Sequence, residues 1–226
     1  MRLLISYPIT TDAPGWPGNE IYEVERARSM EKGDVNNSGI FRMHEHYGTH
    51  MDAPFHFNAN GPSIAELPFD RFFYNAPLLL DIPKDSYGLL EPEDFEPYAE
   101  QIAAADFLMI RTGFGRYRNT EPKKYQMESP AISPAGCAYL VKEFGGTLKT
   151  VCLDVQSLGN ASDTSGAGVE AHRWMLGSYT DNFICVIEDA NLMDVPTSGL
   201  RAAASVPLML TGVDSGPVTA WVEIEE

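Results

Sequence analysis

Four of the five histidines in this 226-residue sequence lie within the 13 residues from His44 to His56. The same segment contains one aspartate, Asp52, and no cysteine. Imidazole and carboxylate groups are ligands that zinc, manganese and iron accept in combination. A metal held there can lower the pKa of a bound water and polarise a carbonyl group. The segment therefore predicts a metal centre built from nitrogen and oxygen ligands, of the kind that supports hydrolysis.

The spacing of these residues suggests how the backbone presents them. Four of them are separated by even numbers of residues, namely His46, His50, Asp52 and His56. An extended backbone would direct such residues to one side. Gly48 and Pro54 argue against a helix, because glycine weakens a helix interior and proline cannot donate the helical hydrogen bond. We therefore predict a strand that runs into an irregular loop fixed by Pro54, and we leave the ambiguous His44 out of the site.

A metal centre needs ligands from more than one segment of the chain. The remaining histidine is His172. Glu188 follows the apolar run 183–187, where a carboxylate that becomes buried needs a partner such as a metal. Asp189 and Asp194 compete with Glu188 for this role, and spacing alone does not choose among the three.

Short runs of β-branched, aromatic and other apolar residues predict the strands that must position these side chains. The predicted strands cover residues 3–5, 21–24, 78–82, 107–110, 151–155, 183–187, 207–210 and 219–224. Predicted helices interrupt these strands singly, which indicates an α/β fold with a mixed β-sheet core and few helices. The length and composition fit a single domain over residues 1–226.

The clearest predicted helix covers residues 133–144, with Ser133 as its N-cap and Pro134 at its first position. Weaker patterns predict helices over 94–105 and 170–176. The polar stretch 160–168 is either a mobile cover for the site or an ordinary surface loop.

Charge and cysteine content limit the classes of partner. The sequence has 16 basic and 32 acidic residues, and the resulting net charge of −16 would repel nucleic acids and anionic membranes. Its apolar N-terminal run ends at Ser6 and Pro8, far short of a signal-peptide core, so we expect a cytoplasmic protein. Three widely spaced cysteines suit reduced thiols that fill the core, namely Cys137, Cys152 and Cys185.

The stretch His46–Phe57, with the sequence HYGTHMDAPFHF, resembles the signature of the cyclase-like metal hydrolase family. That family includes bacterial kynurenine formamidase and isatin hydrolase. The similarity extends over nearly the whole chain, through residues 9–18, 67–72 and 110–113. The resemblance implies a swivelling β/β/α fold and a homodimer or homotetramer.

The resemblance also implies roles for the signature residues. In the family pattern His46 and His50 bind one metal, Asp52 bridges two metals, and His56 transfers protons. The ligand types predict Zn²⁺ as the cofactor, one or two ions per chain, with Mn²⁺ as the alternative, since nitrogen and oxygen ligands accept both.

Three further residues match positions of the family pattern. His172, followed by an arginine, matches a closing metal ligand. Glu188 matches a second bridging ligand, which favours it over Asp189. Trp16 matches a tryptophan that kynurenine formamidases place against their aromatic substrate, and packing in the core or a loop is the alternative for this residue.

The function implied by the resemblance is metal-dependent hydrolysis of a non-peptide C–N bond in a small aromatic molecule. The preferred substrate is an aryl formamide of the N-formylkynurenine type. An isatin-like cyclic amide and a polyketide-type cyclase reaction are the alternatives, and a metal-binding protein without catalysis is the alternative from another class. The chain departs from kynurenine formamidases at 117–130, which looks like an insertion, and in a longer segment between His172 and Glu188.

Overall fold

Thirteen short strands and five α-helices make up the regular structure of residues 1–225, which are the residues described in this computed structural model. The strands are β1 (Arg2–Leu4), β2 (Tyr22–Arg28), β3 (Ser38–Met43), β4 (His50–Asp52), β5 (Phe73–Tyr74), β6 (Pro77–Asp81), β7 (Leu89–Leu90), β8 (Phe107–Arg111), β9 (Ala131–Ile132), β10 (Thr150–Leu153), β11 (Cys185–Glu188), β12 (Leu200–Pro207) and β13 (Ser215–Ile224). The helices are α1 (Pro92–Phe95), α2 (Ala99–Ala103), α3 (Pro122–Glu128), α4 (Pro134–Phe144) and α5 (Ala167–Met175). None of the helices in this range is long and apolar enough to cross a membrane.

Nine of the strands form one mixed sheet. Eight follow the order β5-β12-β13-β4-β11-β10-β8-β6, and β1 pairs with β13. Strands β6, β8, β10 and β11 run parallel, whereas β4 is antiparallel to both of its neighbours, β11 and β13. Strand β4 therefore lies where the parallel part of the sheet meets the antiparallel part. This arrangement confirms the predicted α/β class with a mixed sheet and few helices.

Apolar residues are packed on both faces of the central sheet. In β8, Leu108 and Ile110 contribute to the core cluster that includes residues of α4 and α5. Phe107 and Met109 contribute to the cluster on the other side. Successive side chains of a strand point to opposite faces, so a strand covered on both faces reads as a continuous apolar run.

Helix α4 forms where the sequence predicts it. The Ser133 hydroxyl accepts a hydrogen bond of 2.9 Å from the backbone N–H of Gly136, which caps the first turn. The predicted helix over 94–105 is broken into α1, a 3₁₀ turn and α2. Pro97 lies within that 3₁₀ turn and has no N–H to donate, which accounts for the break. The third predicted helix corresponds to α5.

The predicted strand over 207–210 is wrong. Strand β12 covers Leu200–Pro207, and the three residues that follow form a loop whose side chains are exposed, namely Leu208, Met209 and Leu210. An apolar run alone does not distinguish an exposed loop from a buried strand. The run that does form β12 contains Ala202, Ala203 and Ala204, and alanine is depleted in strands. The other predicted strands agree with observed strands to within four residues at each end.

Strands β2 and β3 form a separate hairpin outside the main sheet. Three of its large apolar side chains are exposed, with exposed fractions of 53% for Val24, 63% for Ile40 and 59% for Phe41. A two-stranded hairpin has little stability in water unless a further surface packs against it.

The three cysteines are free thiols buried in the core, as predicted. Burial raises the pKa of the thiols of Cys137, Cys152 and Cys185. A raised pKa disfavours the thiolate, which is the reactive form of cysteine. Packing is therefore the role that their environment supports.

Candidate metal centre

The histidine-rich segment contains a short strand at its middle. Strand β4 consists of His50, Met51 and Asp52, and a 3₁₀ turn over Pro54–His56 follows. His50 in β4 is paired with Glu188 in the neighbouring strand β11. The predicted strand and the loop beginning at Pro54 are both present.

The extended backbone does not include all four even-spaced residues. His46 lies in a turn before β4, and Gly48 has a φ angle of +71°, which glycine adopts more readily than other residues. His56 lies on the 3₁₀ turn. The prediction of an extended backbone is therefore confirmed for His50 and Asp52. It is wrong for His46 and His56, which lie in turns.

The structure brings the five predicted metal ligands together. His46 Nδ1 lies 3.0 Å from Asp52 Oδ1, and His50 Nε2 lies 3.5 Å from the same oxygen. Glu188 Oε2 lies 3.3 Å from His50 Nε2, and Glu188 Oε1 lies 3.4 Å from His172 Nε2. His172 Nε2 is 3.9 Å from Asp52 Oδ2. The cluster thus combines residues separated by more than a hundred positions in the sequence.

This cluster fits a divalent metal on the chemistry of its donors. His50 Nε2 and both carboxylate oxygens of Asp52 are buried and have no hydrogen-bond partner among residues 1–225. Buried polar atoms without a partner are costly, and a cation would satisfy them. Two groups of three side chains have ligand atoms within 4.8 Å of one another: His46–Asp52–His56 and His50–Asp52–Glu188. Asp52 belongs to both groups, as a carboxylate that bridges two ions would.

Backbone carbonyl groups orient two of the imidazole rings. His50 Nδ1 lies 2.8 Å from the oxygen of Gly48, and His172 Nδ1 lies 2.7 Å from the oxygen of Gly168. A carbonyl oxygen only accepts, so each Nδ1 carries the proton and the Nε2 atom of a neutral ring is free to bind a metal.

Charges within the cluster shift its pKa values strongly. Burial alone would lower the pKa of His46, but nearby carboxylates, with Asp52 first among them, raise it to about 11. Burial likewise opposes the raised pKa values of His50 and His172, which result mainly from the nearby Glu188 carboxylate. The two imidazoles in turn outweigh the effect of burial and hold the pKa of Glu188 well below its usual range.

These shifts predict that metal binding releases protons. Without a metal, the His46 imidazole, whose pKa is raised to about 11, holds its proton at pH 7, and a metal binds only the unprotonated nitrogen. We expect one or more protons to be released per chain at pH 7, and the metal affinity to rise with pH. Titration calorimetry in two buffers with different ionisation enthalpies measures this number. Equal enthalpies in both buffers would contradict the expectation.

Asp214 was not identified from the sequence, although it lies in the site. Its Oδ2 atom is 2.6 Å from His56 Nδ1, and its Oδ1 atom is 3.4 Å from His46 Nε2. Burial opposes ionisation of Asp214, but hydrogen bonds with His46 and His56 hold its pKa well below the usual range. The residue directly precedes β13, in which Ser215 is paired with Asp52. The pairing of β13 with β4 and a hydrogen bond of 2.9 Å from the Ala53 N–H to the Asp214 carbonyl oxygen bring it to the cluster, and no histidine nearby in the sequence marks it.

A cavity of about 280 Å³ opens next to the cluster. Trp16 and His56 line it, together with residues of the 160–168 loop such as Asn160 and Asp163. Residues of that loop therefore form part of the cavity wall, whereas no residue of 117–130 lines the cavity. The role of the loop as a mobile cover stays a prediction.

The competing residues lie outside the cluster. His44 accepts a hydrogen bond of 3.2 Å at Nδ1 from the backbone N–H of His46 and belongs to neither ligand group. Asp194 is exposed. Asp189 is buried, but its carboxylate is held by Arg118. Glu188 is therefore the acidic residue of this region that reaches the cluster.

The 117–130 segment contacts Asp189, the residue next to Glu188. Arg118 donates two hydrogen bonds to the Asp189 carboxylate, at 2.6 and 2.7 Å, and the Tyr125 hydroxyl donates a third at 2.7 Å. Asp189 has a φ angle of +54°, and its carbonyl oxygen accepts a hydrogen bond of 2.6 Å from Thr49. These contacts fix the backbone beside Glu188 and beside the start of β4.

Replacing Arg118 with methionine should destabilise the protein strongly. The Arg118 side chain is buried, and its loss leaves the Asp189 carboxylate without its charged partner. Removing one partner of a buried ion pair costs about 3–5 kcal/mol in the free energy of unfolding. Urea denaturation measures this loss, with Arg116→Met as an exposed control in the same segment. Equal stability of the two variants would show that the buried pair contributes little.

Comparison with known protein sequences supports the resemblance. The family model described as "Putative cyclase" matches residues 3–160. An uncharacterized protein from Haemophilus influenzae is 41% identical over 104 residues, which cover 46% of this chain and 73% of that protein. A kynurenine formamidase from Bacillus mycoides is 28% identical over 221 residues, which cover 96% of this chain and 95% of that enzyme.

Comparison with solved structures concerns the fold. An isatin hydrolase from Ralstonia solanacearum gives a TM-score of 0.83 at 16% identity, over 100% of this chain and 92% of that one. The segment from His46 to His56 falls within the range that the family model matches. Since that match covers more than half of the sequence, the chain belongs to the Cyclase family.

Proposed function

We propose that this protein is a metal-dependent hydrolase that cleaves the non-peptide C–N bond of a small aromatic amide. The observation that carries the proposal is the pair of ligand groups that share Asp52 beside an open cavity. His56 and Trp16 line the same cavity, so a proton-transfer group and an aromatic surface lie near the metal ligands. The family membership and the similarity to kynurenine formamidases support this assignment.

In this proposal five residues hold one or two divalent ions, namely His46, His50, Asp52, His172 and Glu188. We favour Zn²⁺, with Mn²⁺ as the alternative, because both accept nitrogen and oxygen ligands. When bound, the metal lowers the pKa of water and polarises the substrate carbonyl.

His56 is the proton-transfer residue in the proposed reaction. Its ring takes a proton from the water that attacks the carbonyl carbon, and returns that proton to the amide nitrogen as the C–N bond breaks. Asp214 accepts a hydrogen bond from Nδ1 of His56, at 2.6 Å, so the proton is exchanged at Nε2. The Asp214 carboxylate also stabilises the positive charge that the ring carries between the two transfers.

For the substrate we favour an aryl formamide of the N-formylkynurenine type. Trp16 offers an aromatic face in the cavity, and aromatic rings stack favourably on one another. A cyclic amide such as isatin, opened by ring hydrolysis, is the second candidate, because an isatin hydrolase shares the fold. A polyketide-type cyclase reaction is a third.

The decisive experiment is hydrolysis of N-formyl-L-kynurenine and isatin by the purified protein. The reaction is followed optically with Zn²⁺ or Mn²⁺ supplied, and again after chelation. Turnover of either substrate that stops on chelation supports the proposal. A protein that holds its metal but hydrolyses neither these nor a wider panel of amides and lactams would instead be a metal-binding protein or a cyclase.

We also propose that the protein acts in the cytoplasm as a homodimer or homotetramer, with small molecules as its only other partners. The exposed apolar residues of the β2–β3 hairpin support self-association, since a second copy would remove them from water. Light scattering on the purified protein tests this proposal, and a monomeric mass would contradict it.

A further inference from the structure

Gln156 is a buried side chain with an unused hydrogen-bonding group. The residue is 3% exposed and lines the cavity beside the ligand cluster. Its Oε1 atom is buried and has no hydrogen-bond partner among residues 1–225. An unpaired buried acceptor costs free energy, whereas an apolar side chain of the same shape would not. Gln156 therefore lowers stability unless something else supplies a donor.

Two amide side chains near the site have partners, those of Asn160 and Gln126, and Asn19, which also lines the cavity, is only half-buried. Asn160 donates to the Ser129 carbonyl oxygen at 2.5 Å and accepts from the Ser162 N–H at 2.7 Å. Gln126 donates to the Gly15 carbonyl oxygen at 2.8 Å. Gln156 thus differs from these two residues, and as a neutral amide it is also a poorer ligand for zinc than the imidazoles and carboxylates nearby.

The backbone around Gln156 is fixed to the site, although its carboxamide is free. The Val155 carbonyl oxygen accepts a hydrogen bond of 2.8 Å from the N–H of Asp189. On the other side, Ser157 Oγ and the Leu158 N–H donate to Glu188 Oε1 at 2.8 and 2.7 Å. Because no hydrogen bond holds the carboxamide, rotation about its last torsion can turn the oxygen to the cavity without breaking a hydrogen bond.

We propose that Gln156 is a specificity-determining residue that accepts a hydrogen bond from the N–H of the scissile amide. The inference rests on the proposed amide hydrolase function and names the class of substrate, amides that keep a hydrogen on nitrogen. Aryl formamides and lactams such as isatin share this group. In the proposed reaction a metal held by the ligand cluster would polarise the carbonyl oxygen, so the N–H would need an acceptor elsewhere on the cavity wall.

N-methylation removes the donor and leaves Oε1 unpaired. We expect the wild-type protein to prefer an N–H amide over its N-methyl counterpart by about 10- to 100-fold in kcat/KM. Methionine has nearly the length of glutamine and lacks the amide, so Gln156→Met should bring this ratio close to one. The variant should also melt no lower than the wild type, because it removes an unpaired buried group.

The experiment compares isatin with N-methylisatin and formanilide with N-methylformanilide, using metal-loaded wild type, Gln156→Met and the exposed control Gln101→Met. Calorimetric binding of oxindole and N-methyloxindole gives a second measurement that needs no turnover. A preference for N–H compounds that Gln156→Met loses and Gln101→Met keeps supports the proposal.

Three outcomes that contradict one of the two proposals are distinguishable. Hydrolysis with equal N–H preference in wild type and Gln156→Met would overturn the role of Gln156 and leave the proposed function intact. Selective binding of oxindole that depends on Gln156, without hydrolysis of any amide, would support the hydrogen bond and overturn the hydrolase function. A lower melting temperature of Gln156→Met, with unchanged selectivity, would assign the side chain to packing.

Discussion

The Asp52→Asn variant will retain neither bound metal nor hydrolytic activity, although asparagine has nearly the same size and shape as aspartate. Asp52 is fully buried and is the residue shared by both ligand groups. A neutral amide is a weaker ligand than a carboxylate, and Asp52 would serve any ion held by either group, so its replacement would weaken binding at both. We expect the metal affinity to fall by more than the roughly 100-fold that loss of a residue supporting a ligand costs.

Metal content after dialysis, measured by plasma mass spectrometry, gives the direct readout, and activity with added Zn²⁺ gives the second. The exposed residue Asp70, replaced in the same way, is the matched control and should change neither. Circular dichroism checks that both variants are folded. Full metal content in Asp52→Asn would show that the site is assembled on other residues.

The second large effect is expected for His56→Ala, which should keep its metal and lose most of its turnover. General acid–base catalysis by a positioned side chain contributes about 10²- to 10⁴-fold to the rate, and kcat should fall by that factor. His44→Ala is the matched control, because this histidine lies outside both ligand groups. The control should stay close to wild-type activity.

Metal content distinguishes a proton-transfer role of His56 from a role as a metal ligand. The residue belongs to the group with His46 and Asp52, so its ring can also reach a metal. A His56→Ala variant that loses about half of its metal would assign His56 as a ligand and overturn the proton-transfer role. The variant Asp214→Asn tests the same role differently, since it should lower kcat at saturating metal and leave KM nearly unchanged.

Much of the fold follows from local patterns. The apolar runs of β6, β8 and β11 and the capped helix α4 are recognisable because burial on both sheet faces and helix capping act on neighbouring residues. Strand β12 is different, since its alanines carry little strand preference and pair with β13 and β5 only in the folded chain. The exposed loop 208–210 resembles a strand in the sequence because its three residues are apolar, and the sequence does not show that they are exposed.

The amino-acid sequence by itself determined the ligand chemistry of this protein, because imidazole and carboxylate groups clustered within 13 residues are a property of residue type and order. The tertiary structure decided which further residues complete the site. Glu188 and Asp189 are neighbours with the same charge, yet only Glu188 reaches His50, whereas Arg118 holds Asp189. Asp214 lies 158 positions from His56 and reaches it because β13 pairs with β4. Strand pairing and buried ion pairs join residues that are distant in sequence, so local sequence patterns do not specify them.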